Sequence, residues 1–321
     1  MGAPLGFAGR LPMLILLGLV VPAAQACGAC GCTLHSDWST QGVATGEGFQ
    51  LDLRYDFFKQ DDLRLGRSRV ERSQLPLPNE QEIQLQTLNR NLTLGLDYSP
   101  GGDWGLNLQV PVFDRTHETI APGDTETSAS RSAGWGDVRV LVRYQGLRES
   151  RSVGVQLGFK LPTGRTTDAF NGGPQGGEAL DRGLQLGTGT TDLLFGVYAF
   201  GNLGADWGYF AQAMVQLPLA EKNGFRPGNG LNCNFGVHFA GFEAIAPQLQ
   251  VNLRAEKPEQ GVNSDALNSG ATLAYLSPGL RARLSRRLQV SAFVQIPIYQ
   301  RVTGYQIEPR FLASMGLHYA F

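Results

Sequence analysis

Apolar and polar residues alternate along most of the chain from about residue 48 to the C-terminus. In the first alternating segment, Phe49, Leu51 and Leu53 take one side, while Gln50 and Asp52 take the other. A period of two is typical of a β-strand that has one apolar and one polar face. Most of the segments have close to the ~9–11 residues that a tilted strand needs to cross a bilayer. The pattern predicts about twelve strands, at 48–58, 84–98, 103–113, 134–146, 152–162, 187–200, 206–218, 231–240, 246–255, 270–284, 288–299 and 309–321.

The connections between these segments alternate in length. Short turns at 99–102, 146–151, 201–205, 241–245 and 285–287 alternate with longer connections at 59–83, 114–133, 163–186, 219–230, 256–269 and 300–308. Bacterial outer-membrane barrels have short periplasmic turns, longer external loops and an even number of strands. The sequence therefore predicts an all-β fold, a transmembrane antiparallel up-and-down β-barrel of about twelve strands, with both termini periplasmic. A soluble β-sandwich is the alternative, because it shows the same alternation.

The composition agrees with a sheet that closes on itself. Of the 321 residues, 42 are Gly and only 17% are charged, and the net charge is −1. A net charge near zero gives no basic footprint for a nucleic acid. After residue 24 no apolar run approaches the ~18–20 residues of a spanning helix. In hydrocarbon every backbone N–H and C=O needs a partner, and a sheet provides this only by closing.

Residues 1–26 have the features of a secretory signal peptide. Arg10 is the only charged residue, and Ala24-Gln25-Ala26 matches an A-x-A cleavage site after a short apolar run. The alternatives are a single spanning helix and lipidation of Cys27 at the start of the mature chain. We expect the protein in the outer membrane of a Gram-negative bacterium. The predicted organisation is a signal peptide at 1–26, a Cys-rich periplasmic or lumenal segment at 27–47, and an outer-membrane β-barrel at 48–321.

The chain ends on an alternating strand that carries a terminal aromatic residue. Phe321, Tyr319 and Leu317 lie on the apolar face of this strand. Such an ending resembles the C-terminal signal that outer-membrane barrels present to their assembly machinery. We therefore expect these three residues to form an assembly signal, with the barrel-assembly machinery and outer-membrane lipid as partners.

Three glycine-rich motifs lie at the ends of neighbouring predicted strands. They are Gly134-Trp135-Gly136-Asp137, Leu161-Pro162-Thr163-Gly164 and Leu186-Gly187-Thr188-Gly189-Thr190-Thr191-Asp192-Leu193. In order, spacing and position, this region resembles the outer-membrane transporter family labelled as belonging to the MetA pathway of phenol degradation. The resemblance implies uptake of small, often aromatic or hydrophobic compounds across the outer membrane. The family has no established catalytic residues to carry over to this chain.

A cluster of cysteines follows the signal peptide. It contains Cys27, Cys30 and Cys32, with His35 close by. Three thiolates and an imidazole would suit a tetrahedral site for zinc or another soft metal. The alternatives are a disulfide of Cys27 with Cys30 or Cys32 in the oxidising periplasm, and a spacer without function. A metal at this cluster is the only cofactor that the sequence suggests.

The polar positions of the predicted strands are expected to face the barrel interior. Cations outnumber carboxylates among them, which favours an anion-preferring pore wall. The alternative is a lattice of ion pairs that fills a narrow interior, since about twelve strands lie between small filled barrels and open porins. The segment 27–47 or the loop 163–186 would also be able to plug the opening. The lumen-lining candidates are Asp52, Arg54, Asp56, Arg90, Arg139, Arg143, Lys160, Asp192, His238, Arg254, Arg281, Arg283 and Arg310.

Two functions of different classes are compatible with these patterns. The leading hypothesis is a passive outer-membrane channel or transporter, with a small-molecule solute as its partner. The alternative is a barrel scaffold whose Cys-rich N-terminus engages a metal or a periplasmic redox or metal protein. We do not expect an enzyme, because the four histidines His35, His117, His238 and His318 have no obvious nucleophile beside them.

Overall fold

A closed antiparallel β-barrel forms the body of the protein. The computed structural model describes residue 41 and residues 47–321. The strands are β1 (Gly48–Leu65), β2 (Ser68–Arg69), β3 (Ile83–Ser99), β4 (Trp104–Ile120), β5 (Ser128–Trp135), β6 (Val138–Tyr144), β7 (Val153–Leu161), β8 (Asp192–Asn202), β9 (Trp207–Pro218), β10 (Gly230–Phe239), β11 (Ile245–Glu256), β12 (Ala271–Arg283), β13 (Leu288–Val302) and β14 (Tyr305–Ala320). Neighbouring strands pair around the sheet, and β14 pairs with β1 from Gln50 opposite Ala320 to Leu65 opposite Tyr305.

Twelve strand positions make up the barrel wall. The two-residue strand β2 lies in the connection after β1, and β5 and β6 together occupy one position beside β4. The prediction of an all-β, twelve-stranded antiparallel barrel is confirmed. In the described connections there are two single turns of 3-10 helix, Arg72–Gln74 and Arg182–Leu184. Within the described residues no helix is long and apolar enough to cross a membrane.

The strands on one side of the barrel continue beyond their apolar pattern. β1, β3 and β4 contain 18, 17 and 17 residues, whereas β7 contains 9. Much of the connections predicted at 59–83, 114–133 and 300–308 is therefore strand. The last of these predictions is wrong, because only Thr303 and Gly304 join β13 to β14, with Gly304 at a φ of 62°. The pairing continues because backbone hydrogen bonds do not require apolar side chains.

The wall has one interruption, between β5 and β6. β4 pairs with β6 over its first residues and with β5 over its later ones, while β7 pairs with β6 and not with β5. Gly136 lies at the interruption, where a Cβ atom would stand 2.2 Å from the ring of Phe113. Beyond this point the connection from β7 to β8 runs beside β5, bridged to it at Ala129 and Gly172.

Aromatic side chains surround the barrel at the end that carries the short turns, called here the short-turn end. The rings of Phe49 and Tyr98 lie 4.6 Å apart, and those of Trp104 and Tyr144 lie 4.8 Å apart. Trp104 and Trp207 are 57% and 48% exposed on the outer surface. Exposed aromatic residues in this position are typical of the interfacial girdle of a membrane barrel. The opposite end is called the long-loop end.

Candidate functional site

The barrel interior is lined by polar side chains that pair with one another. Nε of Arg54 lies 2.8 Å from Oδ2 of Asp56, and Oδ1 of Asp56 accepts a 2.6 Å hydrogen bond from Ser314. Oδ1 of Asp52 lies 2.8 Å from Nδ1 of His318. The contacts of Ser314 with Asp56 and of His318 with Asp52 join β1 to β14, so the interior polar network also secures the strand pair that closes the barrel.

A buried ion pair joins β6 to β3 across the intervening β4. Nη1 and Nη2 of Arg143 lie 2.8 and 3.0 Å from the two carboxylate oxygens of Asp97. Both side chains are only 2% exposed. The guanidinium crosses Gly105, where a Cβ atom would stand 2.5 Å from it. Glycine at this position of β4 therefore leaves room for a two-pronged ion pair inside the barrel.

A second buried ion cluster lies at the wall interruption and is called here the Lys160 junction. Nζ of Lys160 lies 2.9 Å from Asp137 and 3.1 Å from Asp192, and it also contacts the hydroxyl of Thr188. The exposed fractions of the three charged side chains are 5%, 7% and 0%. Gln216 on β9 donates a 2.6 Å hydrogen bond to Asp192. One ammonium therefore links three strand ends.

The three glycine-rich motifs of the sequence meet at the Lys160 junction. Asp137 of the first motif accepts hydrogen bonds from the backbone N–H of Gly164 at 3.0 Å and of Thr188 at 2.9 Å. Gly164 and Gly187 approach so closely that a Cβ on Gly164 would stand 2.6 Å from the Cα of Gly187. The motifs therefore have a common structural cause, because each supplies a part of one buried anchor for the β7–β8 connection.

The remaining inward candidates occupy other parts of the interior. Arg139, His238, Arg254 and Arg281 lie on strand positions that alternate with lipid-facing residues. Arg254 forms an ion pair with Glu256 on the same strand. Arg283 is exposed at the short-turn end of β12. The structure thus spreads the candidate residues over the whole interior and does not gather them into one centre.

Two candidates lie on the outer face of the barrel, contrary to the prediction. Arg90 has the same alternation as Leu88 and Leu92, and its Nη1 lies 3.5 Å from the outward carboxylate of Asp114. Arg310 is turned outward by a β-bulge. Phe58 pairs with Leu312 and Gln60 pairs with Pro309, so β14 advances by three residues where β1 advances by two.

Several inward charged residues were not among the candidates. Asp62, Asp97, Glu256 and Glu308 add carboxylates to the interior, and Arg115 adds a cation. The inward charges are therefore more balanced than the candidate set, and many of them form ion pairs. This balance favours the lattice of ion pairs over an anion-preferring wall. The alternation within each strand was the available signal for Asp97 and Arg115.

The β7–β8 connection, residues 162–191, enters the barrel interior. Arg115, 5% exposed, donates hydrogen bonds of 3.3 and 3.0 Å from Nη1 to the carbonyl oxygens of Gly183 and Leu184. Its Nε donates to Asn89 on the neighbouring strand. Leu184 and Leu186, which belong to this connection, are buried. Residues 162–191 are therefore attached to the inner wall, as expected for a segment that narrows the opening.

Two residues of the predicted N-terminal segment 27–47 are described, Gln41 and Glu47, and Gln41 lies in the interior. Gln41 is 5% exposed, and its amide oxygen accepts a 3.4 Å hydrogen bond from the inward side chain of Gln248. Cys27, Cys30, Cys32 and His35 lie outside the described residues. Among the residues that the structure does describe, no group of three or more His, Cys, Asp or Glu side chains is arranged to hold a metal ion.

An apolar cluster lies inside the barrel beside the polar network. Phe58, Leu273, Tyr275 and Leu312 belong to it, and each is at most 1% exposed. Their strands, β1, β12 and β14, lie on one side of the barrel together with β13. Phe58 lies directly opposite Leu312 on the neighbouring strand. The inner faces of β1 and β14 therefore carry both ion-paired groups and part of this aromatic and aliphatic cluster.

An acidic pocket of about 50 Å³ lies at the long-loop end. Asp181, Glu259 and Asp265 line it together with Thr87 and Gln306. Burial, together with the neighbouring carboxylates of Glu82 and Asp265, raises the pKa of Asp181 to about 7. Burial also raises the pKa of Asp265. The pocket therefore binds protons more readily than exposed carboxylates do.

The fold and this interior define a class of protein, the membrane barrel with a lined lumen. No protein-family model matches the chain, and no curated protein matches it. Solved structures do match. The COG4313 outer membrane channel from Pseudomonas putida F1 has 11% sequence identity and a TM-score of 0.62, over 87% of this chain and 97% of that one. This likeness shows that the chain has the fold of an outer-membrane channel.

Two other matching structures are more distant in shape. The toluene transporter TodX of Pseudomonas putida has 8% identity and a TM-score of 0.44, over 93% of this chain and 96% of that one. The NanC porin has 10% identity and a TM-score of 0.45, over 84% of this chain and 100% of that one. Both align too loosely to add to the shared fold.

Proposed function

We propose that the protein is a passive outer-membrane channel for small molecules, with both termini and the short turns on the periplasmic side. The observation that carries the proposal is a closed wall with an apolar outer band and an inward face of paired polar side chains. Such a wall separates lipid from a polar interior. The fold shared with an outer-membrane channel supports the same conclusion.

The width of the passage is set by residues 162–191. They are attached to the inner wall by Arg115 and to the strand ends by the Lys160 junction. Inward side chains from opposite walls occupy much of the remaining interior, since a large set of polar residues is buried there. The passage therefore selects small solutes, and the attachment of 162–191 limits the current.

Apolar or aromatic solutes are the class that the interior favours. Phe58, Leu273, Tyr275 and Leu312 form an aromatic and aliphatic cluster in the barrel interior, each at most 1% exposed, so a solute reaches their side chains only when they move apart. A solute in contact with them would bury apolar area at about 25 cal/mol per Å². A fully hydrophilic solute would gain nothing from this surface. The interior cluster is the observation that supports the narrower substrate class.

Conductance of the purified full-length protein in planar bilayers tests the channel. We expect small, resolvable currents from the wild type and larger currents from Arg115→Ala, because that variant removes the hydrogen bonds to residues 162–191. Arg90→Ala is the matched control, since Arg90 lies on the neighbouring strand and faces outward. The proposal fails when neither the wild type nor Arg115→Ala passes ions or solutes.

Uptake into proteoliposomes tests the substrate class. An aromatic hydrocarbon and a sugar of similar size are compared for the wild type and for Tyr275→Ser, which makes the interior cluster polar. We expect the variant to lose preference for the aromatic solute while its ion conductance remains. Equal preference in both proteins would contradict the role of the interior cluster and leave the channel itself standing.

A further inference from the structure

Charged residues on the outer surface of the barrel wall are confined to one side. The outward positions of β7 to β12 carry no Asp, Glu, Lys or Arg. Those of β13, β14, β1, β3, β4 and β5, which are adjacent in the sheet, carry five cations and three carboxylates. The eight residues are Lys59, Arg90, Arg131, Arg301, Arg310, Asp61, Asp114 and Glu118.

Two of the outward carboxylates are each flanked by two cations. Asp114 lies 3.0 Å from Nε of Arg131 and 3.5 Å from Nη1 of Arg90. Asp61 lies 3.3 Å from Nζ of Lys59 and 3.3 Å from Nε of Arg310. Each group has one positive charge in excess. Because all four cations have a neighbouring carboxylate, their head groups are held in place before any ligand arrives.

The four cations remain accessible despite these contacts. The side chains of Lys59, Arg90, Arg131 and Arg310 are 48%, 40%, 65% and 57% exposed. Arg131 uses Nε and Nη2 on Asp114, and the exposure of all four side chains leaves their remaining donors open to solvent. Arginine donors match the oxygens of a phosphate in pairs, whereas lysine acts as a compact charge.

The height of the cations relative to the lipid band is fixed by the strand register. Trp104 marks the aromatic girdle of the short-turn end. Val112 lies further along the same strand, β4, and is opposite Trp135 of β5, which is 62% exposed. The steps from Trp104 to Val112 span about 27 Å along the strand at ~3.4 Å per residue. At a tilt of about 40° this is roughly 21 Å of height, close to the ~25 Å apolar band of such barrels.

The charged groups begin immediately beyond that band. Asp114 is two residues past Val112 on β4, and Arg90 lies directly opposite Asp114. On β1, Phe57 lies opposite Arg90, and Lys59 is two residues beyond Phe57 toward the long-loop end. The cations therefore lie at the level of lipid head groups on the long-loop side, and not in contact with hydrocarbon.

We propose that Lys59, Arg90, Arg131 and Arg310 form a binding surface for a phosphorylated glycolipid of the outer leaflet. The phosphates would contact the exposed donors, and the acyl chains would lie along the apolar band below them. Both the charge and the height of the surface match this ligand. The proposal rests on the outer-membrane location and orientation given in the proposed function. The lipid-facing side of β7 to β12 would take no specific head group.

Binding of diphosphoryl lipid A to the purified full-length protein in detergent, followed by native mass spectrometry, tests the surface. The triple variant Arg90→Gln, Arg131→Gln and Arg310→Gln should bind about tenfold more weakly or worse. Its matched control removes the same charge at the short-turn end, at the exposed residues Arg148, Arg286 and Arg287. The control should bind as the wild type does.

Two further ligands separate the lipid from its phosphate. Dephosphorylated lipid A should bind weakly to the wild type, and inorganic phosphate at millimolar concentration should not compete with lipid A. The proposal is overturned when the triple variant binds like the wild type, when the control loses binding equally, or when free phosphate alone displaces the lipid. An Arg-to-Lys triple variant, which keeps the charge, covers the case in which the Gln variant does not fold. Channel conductance is recorded in parallel, so a failed channel and a failed lipid surface are distinguishable.

Discussion

Replacing Lys160 with Met tests the Lys160 junction as the anchor of residues 162–191. The variant keeps a side chain of similar length and removes the ammonium that contacts Asp137 at 2.9 Å and Asp192 at 3.1 Å. Both carboxylates are almost fully buried, with 7% and 0% of their side chains exposed. The variant therefore leaves two buried negative charges close together without their shared cation.

The expected magnitude follows from these distances. At an effective dielectric constant of about 20, one ion pair at ~3 Å has a Coulomb energy of roughly 5–6 kcal/mol before desolvation. Because both partners are desolvated in the wild type as well, the net loss on removing one partner of a buried pair is about 3–5 kcal/mol. Lys59→Met is the control. Its ammonium is 48% exposed beside Asp61, so its loss should cost about 1 kcal/mol or less.

Denaturant unfolding in micelles, monitored by tryptophan fluorescence, measures the free energy of unfolding. Limited trypsin digestion measures the release of residues 162–191, which contain Arg165 and Arg182. We expect Lys160→Met to unfold at lower denaturant and to be cleaved faster within this segment. Adding Asp137→Asn and Asp192→Asn to Lys160→Met should restore much of the lost free energy of unfolding, because no uncompensated buried charge then remains. Equal stability of Lys160→Met and Lys59→Met, or no gain from the two Asn substitutions, would refute the reasoning.

Four further predictions concern other parts of the chain. Arg143→Met should lower the free energy of unfolding by about 3–5 kcal/mol, because it leaves the buried carboxylate of Asp97 without its cation. Adding Asp97→Asn to the same chain should recover part of the lost free energy. Because the pKa of Asp181 is raised from below 4 to about 7, the folded state holds this proton more tightly, and stability should fall as the pH rises from about 4 through 7. Asp181→Asn should reduce that dependence in unfolding measured at pH 5 and pH 8, with a part left by the raised pKa of Asp265. Replacing the three N-terminal cysteines with serine should leave solute flux unchanged if the protein is a channel, whereas lost binding of a periplasmic partner or lost metal would favour the scaffold alternative. Deletion of Phe321 should reduce the amount of heat-modifiable, folded barrel in outer-membrane fractions if the C-terminal strand carries the assembly signal.

The strand positions were accessible from the sequence because a barrel separates lipid from lumen at every residue. Phe49, Leu51, Leu53 and Tyr55 alternate for that reason, and the same requirement holds around the whole wall. The alternation of apolar and polar residues ends at the level where the outer face of the barrel leaves the lipid. It therefore predicts the first part of β1 and misses its continuation to Leu65, where backbone pairing alone extends the strand.

The inward face was less accessible, and the reasons differ between residues. Arg90 follows the alternation of Leu88 and Leu92, so strict use of the period would have placed it outward. Arg310 depends on a bulge in the β1–β14 pairing, which no local pattern indicates. The contacts of Lys160 and Arg115 with residues 162–191 join segments far apart in the chain. Such contacts depend on the closed register of the barrel and are not encoded in either segment alone.

The central claim is that solutes pass through the barrel interior, and cysteine accessibility tests it most directly. Arg54→Cys places a thiol on the inward face, at a side chain that is 25% exposed, and Tyr55→Cys places one on the adjacent lipid-facing position. Both variants are made with the N-terminal cysteines replaced by serine, and a charged thiol-specific reagent is added during single-channel recording. The account predicts that the current of Arg54→Cys falls on modification while that of Tyr55→Cys does not change. No current from either protein, or the same response in both, would contradict it.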